Sequence, residues 1–180
     1  MRVCQVIDRL RGGGQERVAV EFARGLAGSI DCSAILATRE GGDYERLLEG
    51  RDVQVFIAGR KGKWDIPAWK RVSRWLADIR PDIVHTHSPG SLFNMVLLRA
   101  LTGLEYRIVA HQQMLPARGT LWRKEAIVIH RLTRYAVSRT IVTNEGLRNL
   151  LVEVCKIPPN TIDVMFNPAD FDEQIQRKRP

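Results

Sequence analysis

Met1-Arg2-Val3-Cys4-Gln5-Val6-Ile7-Asp8-Arg9-Leu10-Arg11-Gly12-Gly13-Gly14-Gln15-Glu16-Arg17-Val18 opens the chain, and its reading decides the fold. Val3 to Ile7 is a nearly continuous apolar run, as a strand buried on both faces requires. Three glycines follow, and then Val18, Phe22 and Leu26 recur at i, i+4 and i+8, the stripe of an amphipathic helix. Strand, glycine turn and helix in that order begin a βαβ unit, whose partner strand is parallel.

The same alternation continues along the chain. Strand candidates are Arg2 to Ile7, Asp31 to Thr38, Asp52 to Ala58, Asp82 to His87, Tyr106 to His111, Thr140 to Thr143 and Thr161 to Phe166. Between them, a helix starts at Pro67, buries Trp69, Val72, Leu76 and Ile79, and stops before Pro81, which cannot continue it. Phe93 to Leu101 is apolar almost all round and ends at Gly103. Leu121 to Ala136 and Glu145 to Val154 complete the helices, the last capped by Thr143 or Asn144. The expected class is α/β: a Rossmann-like doubly wound parallel sheet of about seven strands with helices on both faces.

The 180 residues, 44% hydrophobic and 27% charged, suit one soluble globular domain rather than a disordered or repetitive chain. We expect residues 1–170 to form that domain and 171–180 to be a tail or a truncated interdomain linker. No apolar run approaches the roughly 20 residues of a membrane span, and the N-terminus does not read as a signal peptide. A cytoplasmic location is the resulting expectation. Cys4, Cys32 and Cys155 lie in apolar contexts without C-x-x-C spacing, so they read as buried free thiols.

In a doubly wound sheet, ligands sit beyond the carboxyl ends of the strands. That rule selects Asp8 to Gln15, His85 to Gly90, His111 to Met114 and Thr143 to Glu145. Gly12, Gly13, Gly14 and Gln15 form a turn that lets backbone N–H groups approach an anion at a helix N-terminus. A phosphate or diphosphate suits it, and a purely structural turn is the other reading. The spacing matches neither G-x-G-x-x-G nor the P-loop.

His85 and His87 share a strand face, and His111 ends the next strand, so three imidazoles can converge. A zinc hydrolase built on His85, His87 and His111 is therefore one alternative, weakened by the scarcity of nearby carboxylates. Ordinary packed, hydrogen-bonded histidines are the other, and His130, midway along a helix, reads as surface or packing. No Gly-x-Ser-x-Gly elbow, Cys-His pair or paired carboxylates stand at the strand ends.

The net charge is +8, from 28 Lys and Arg against 20 Asp and Glu. Much of it falls in two stretches, Arg60 to Arg80 with Trp64, Trp69 and Trp75, and Arg118 to Arg139 with Trp122 and Tyr135. Tryptophan among cations is how a protein rests on an anionic bilayer; a solvated basic helix face with Trp69 in the core is the plainer reading. No nucleic-acid motif is present, so nucleic acid is not an expected partner.

Five motifs in order resemble the N-terminal, acceptor-side domain of family 4 retaining glycosyltransferases, which have the GT-B fold. They are Gly13-Gly14-Gln15-Glu16-Arg17-Val18, Arg80-Pro81-Asp82-Ile83-Val84-His85-Thr86-His87, Val109-Ala110-His111, Ile141-Val142-Thr143-Asn144-Glu145 and Val164-Met165-Phe166-Asn167-Pro168-Ala169-Asp170. The resemblance implies half of an enzyme that transfers a sugar from a nucleotide-sugar donor, of UDP or GDP type, to a glycan or lipid-linked acceptor.

It further implies a C-terminal domain or partner subunit that grips the donor, without which this half is expected to be inactive. It implies that Gly12, Gly13, Gly14 and Gln15 lie near the donor diphosphate and acceptor, and that His111 contacts the reacting sugar as the catalytic residue. His87, Ser88, Gln112, Asn144 and Glu145 are the expected acceptor or sugar contacts; no cofactor or metal is expected. A separately encoded acceptor-binding or scaffold subunit is the alternative role. The family often shows Asn-Gly-Val-Asp where Asn167-Pro168-Ala169-Asp170 stands, and serine near Thr143 or Asn144. Glu145 and Glu153 share the spacing of the family's Glu-x7-Glu motif, but on a helix of the wrong half.

Overall fold

The computed structural model describes residues 1–114 and 119–165. Seven strands form one parallel sheet in the order β3-β2-β1-β4-β5-β6-β7. They are β1 (Arg2–Arg9), β2 (Cys32–Glu40), β3 (Val53–Ile57), β4 (Ile83–Thr86), β5 (Arg107–Gln112), β6 (Arg139–Val142) and β7 (Ile162–Val164). Five helices alternate with them: α1 (Gly14–Leu26), α2 (Ile66–Ile79), α3 (Pro89–Thr102), α4 (Leu121–Thr133) and α5 (Glu145–Cys155). A short 3-10 turn, Asp43–Leu47, precedes β3. Every sequence-expected element is present; the expected reach of the last strand to Phe166 and the Asn167 to Asp170 motif lie outside the described residues.

Strand order reverses at β1, which lies between β2 and β4. That is the switch point where a parallel sheet opens a crevice at its carboxyl edge. Residue parity then decides which face each side chain joins. Even-numbered Cys4, Val6, Leu36, Val84, Ile108 and Ala110 pack against Val72 and Leu76 of α2, Leu92 and Met95 of α3, and Ile129 of α4. Odd-numbered Ile7, Ile35 and Ala37 pack against Ala19, Val20 and Ala23 of α1. Val142 meets Leu147 and Leu151 of α5. Helices thus cover both faces, with α1 on one.

Local chemistry sets the helix ends. Asp65 caps α2 by accepting from the Ala68 N–H at 3.1 Å, and Pro67 occupies its first turn. The helix stops at Arg80, which is left-handed (φ 45) just before Pro81. α3 begins at Pro89, four residues ahead of the expected Phe93, because Ser88 and Ser91 form a reciprocal capping box. Gly103, at φ 70, ends it. The thiols are free; Cys4 and Cys155 are buried, while Cys32 is only half-buried, since it begins β2 at the sheet's amino edge. Burial pushes the Cys155 thiol up to about 11.

Candidate functional site

The glycine turn leaves β1 through a fixed anchor. Leu10 is fully buried, its N–H donates to the Glu40 carbonyl at 3.1 Å, and its own carbonyl accepts from Tyr44 at 2.9 Å. Arg9 and Arg11 both pair with the Glu40 carboxylate, at 2.8 and 3.0 Å. Gly42 sits so close that a Cβ there would stand 2.8 Å from the Leu10 carbonyl oxygen, so only glycine fits. At the turn itself Gly12 is left-handed (φ 45), and Gly13 is the N-cap of α1 without a side-chain cap. The Glu16 carboxylate folds back against Gly13, an acidic group at the positive end of the helix.

His85, His87 and His111 do converge, with ring centroids 4.4 to 5.5 Å apart. All three are buried, and Phe22 of α1 lies against each at 5.1 to 6.2 Å. His85 and His111 stack parallel, 2° between their planes. Gln5 Oε1 accepts from His87 Nε2 at 2.8 Å, which leaves His87 Nδ1, His85 Nε2 and Gln5 Nε2 buried without a hydrogen-bond partner. Burial, aided by the neighbouring imidazole of His111, drives His85 down to about 3 and His87 well below its ordinary value, so both are neutral.

Neutral imidazoles are competent metal ligands, and one nitrogen from each lies within 4.8 Å of the others. Zinc–nitrogen bonds of about 2.0–2.1 Å place tetrahedral ligand atoms roughly 3.4 Å apart. The cluster would have to contract to hold the ion, and among the described residues no carboxylate joins it.

Beside this cluster, on the other face of the sheet edge, opens a cavity of about 750 Å³. Asp8 from the end of β1 and Ser88, Pro89 and Gly90 at the start of α3 border it, which puts it at the switch point. Gln15, Gln112, Arg39, Arg60 and Lys63 add polar walls; Phe93, Met114, Trp122 and Ile129 add apolar ones. Lys63 pairs with Glu125 of α4 at 3.7 Å, both exposed, across the mouth. Asp8 accepts from Thr38 Oγ1 at 2.7 Å, and Arg60 Nη2 stands 3.6 Å from it.

Of the sequence-selected residues, Gln15, Ser88 and Gln112 line the cavity, while His87 and His111 lie in the imidazole cluster behind it. Ser88 spends its hydroxyl on the α3 cap. Gln112 accepts from His130 Nε2 at 3.1 Å and donates to the Met114 carbonyl, so its amide braces the exit of β5. His130 is accordingly buried rather than at the surface, and burial lowers it to about 4. Asn144 caps α5 by accepting from Leu147 at 2.8 Å, and Glu145 follows it, exposed; neither borders the cavity. Glu153 is exposed on α5, away from the cluster.

Arg39 and Arg60 were missed by sequence reasoning. The signal was available, since Arg39 lies at the end of β2 and Arg60 just after β3, as Gln112 ends β5 and His87 follows β4. Of the tryptophans, Trp75 stacks on Phe56 at 5.0 Å and Trp69 packs on the core, whereas Trp64 and Trp122 are 72% and 77% exposed. Among the described residues no helix is long and apolar enough to cross a membrane.

A parallel, doubly wound sheet with a crevice at its switch point defines a Rossmann-like α/β domain. Residues 12–173 match the model of Glycosyltransferase Family 4, and the chain belongs to that family. No curated protein matches it in sequence. Solved structures share the fold. Anabaena Alr3699/HepE in complex with UDP-glucose superposes with a TM-score of 0.75 at 16% identity, over 96% of this chain and 45% of that one. The lipopolysaccharide outer core galactosyltransferase WaaB gives 0.69 at 17% identity, over 94% of this chain and 46% of that one. A glycosyltransferase from Rickettsia africae gives 0.72 at 16% identity, over 99% and 46%. The chain therefore spans less than half the length of these relatives.

Proposed function

We propose that this chain is the acceptor-side half of a retaining glycosyltransferase that moves a sugar from a nucleotide-sugar donor to a glycan or lipid-linked acceptor. The observation that carries the reading is the cavity at the switch point, in a chain whose family membership spans residues 12–173. HepE was solved with UDP-glucose, which supports a UDP-sugar donor here. A donor-binding half supplied by further chain or by a partner subunit completes the enzyme, and residues 171–180 belong to the connection.

In this reading the acceptor occupies the cavity, and the donor diphosphate approaches Gly12, Gly13, Gly14 and Gln15, where α1 presents its positive end. His111 donates or accepts a hydrogen bond at a sugar hydroxyl, orienting the donor and stabilising charge that develops on it. Ser88 and Gln112 frame the acceptor, His87 supports His111 from behind, and Asn144 and Glu145 hold the neighbouring edge. Without the partner half, most of the stabilisation of the departing diphosphate is missing, so the chain alone is inactive.

Trp64, Leu121, Trp122 and Met114 are exposed near cationic Lys61, Lys63 and Lys124, which supports a peripheral cytoplasmic seat on an anionic membrane, suited to polysaccharide biosynthesis. The convergence of three imidazoles favours a second reading as a zinc site, and stoichiometric zinc by elemental analysis would promote it.

The test is transfer from UDP, GDP and ADP sugars to a panel of glycan and lipid-linked acceptors, with the chain alone and with the chain joined to a donor-binding half. Transfer is expected only when the donor half is present, and His111→Ala in that complete enzyme is expected to lower it on the order of 10²-fold. Robust transfer by the 180-residue chain alone would sink the proposal.

A further inference from the structure

Arg60 lines the cavity with a guanidinium that is nine-tenths buried and poorly bonded. Nη1 donates to the Gly62 carbonyl at 3.1 Å, Nη2 makes a long ion pair with Asp8 Oδ1 at 3.6 Å, and Nε has no hydrogen-bond partner among the described residues. A guanidinium carries five N–H donors in a planar fork and keeps its charge. The Trp69 ring, 5.3 Å from Cζ, holds the plane without accepting a hydrogen bond from it. Buried charge with idle donors is unfavourable unless a guest rich in acceptor oxygens supplies what is missing.

The surroundings point the same way. Arg39 lines the cavity, and its side chain has no ion pair or hydrogen bond among the described residues. Lys63 adds a third cation, and its exposed pairing with Glu125 is of the weak kind. At the start of α3, Pro89 has no N–H, Ser91 donates to Ser88 Oγ and Leu92 to the Ser88 carbonyl, so the Gly90 amide is the one left for a ligand. Asp8 and Glu125 are the acidic groups of the lining, and Asp8 already holds Thr38. Phe93, Met114, Trp122 and Ile129 are its apolar walls.

We propose that the cavity takes an acceptor bearing a phosphate or diphosphate next to an apolar stem, with Arg60 and Arg39 on the phosphate oxygens and Phe93, Met114 and Trp122 along the stem. This rests on the reading of the cavity as the acceptor site and narrows the acceptor from a glycan or lipid-linked one to one with a phosphate beside its apolar stem. A planar guanidinium fork matches two phosphate oxygens at once, which an ordinary glycan hydroxyl does not.

Titration of the 180-residue chain with octyl phosphate, octyl glucoside, inorganic phosphate and UDP, all below micellar concentration and followed by the amide shifts of Gly90, Gln112 and Met114, tests it. Octyl phosphate is expected to bind about tenfold or more tighter than octyl glucoside or inorganic phosphate, the scale of one charge-assisted hydrogen bond. Arg39→Gln and Arg60→Lys are each expected to weaken it severalfold, and UDP to leave it in place. Equal binding of octyl glucoside overturns the anionic inference while the acceptor reading stands. Silence from both octyl compounds overturns the two together. Displacement by UDP reassigns the cations to the donor and overturns the inference. Arg39 is exposed, so Arg39→Gln folds whatever becomes of Arg60→Lys, and unchanged affinity in it counts against the proposal.

Discussion

The imidazole cluster and the cavity lie back to back at the carboxyl edge of the sheet, and they treat water in opposite ways. His87 and Ser88 are adjacent in sequence, as are His111 and Gln112. Alternation nevertheless sends His85, His87 and His111 toward Phe22 of α1, and Gln112 toward His130 of α4. On the α1 face His85 and His87 are sealed, neutral and partly without partners. On the α4 face they are charged, loosely paired and open to a ligand. Burial neutralises the imidazoles, whereas a guanidinium keeps its charge even when nine-tenths buried, which is why basic residues on the two faces perform different tasks.

Acid is the strongest way to break this contrast. His85, His87 and His130 are neutral in the fold because burial lowers them, to about 3 for His85 and about 4 for His130. Unfolded histidine titrates near pH 6.5, so below that the unfolded chain binds more protons and stability must fall as pH drops toward those folded values. The expected loss is about 2 kcal/mol per histidine between pH 6.5 and 5, from roughly 1.4 kcal/mol per pH unit. Urea midpoints that do not move between pH 7.5 and 5 would show that the cluster is not sealed.

Phe22→Ala attacks the seal itself. It is expected to cost about 3 kcal/mol, at the low end for a half-buried phenylalanine, and to let water reach the imidazoles. Their titration, read from ring proton shifts, should then move up toward ordinary values. If stability drops while the titration stays low, another group provides the seal.

His130→Ala sharpens the other side, since it removes the group that holds Gln112. A loss of about 2 kcal/mol is expected from the cavity and the stranded Gln112 carbonyl, together with loosening of Met114 at the cavity wall. Hydrogen exchange at Gln112 and Met114 reads that loosening directly, and protection equal to the parent would remove the bracing role.

Trp122→Ala should be the mildest. At 77% exposure its removal is expected to change stability by less than about 0.5 kcal/mol. Co-sedimentation with anionic vesicles should nonetheless fall, and more so in low salt than in high. Equal recovery of parent and variant on anionic and neutral vesicles would leave Trp122 as cavity wall alone.

The strands and helices were legible because hydrophobic period and end chemistry are local. Val3 to Ile7 reads as a buried strand wherever it lies, and Pro67 and Pro81 bracket α2 by backbone geometry alone. The convergence of His85 with His87 was equally legible, from period two. What escaped was the role of side chains whose partners come from distant elements. For His130 surface and packing both stayed open, because nothing local says that Gln112, 18 positions earlier, lies beneath it. The apolar stretch pointed to a helix from Phe93, but the reciprocal bonds of Ser88 with Ser91 begin it at Pro89.

The sequence by itself determined an α/β chain with alternating strands and helices, a glycine turn after its first strand, and a surplus of positive charge. Those properties depend on neighbours a few residues apart. Only the tertiary structure decided that His85 and His87 are shut behind Phe22 while Arg60, Arg39 and Lys63 meet across one cavity. The order β3-β2-β1-β4 lays the ends of β1, β2 and β4 together, and which residues share a crevice is set by that order rather than by distance along the chain.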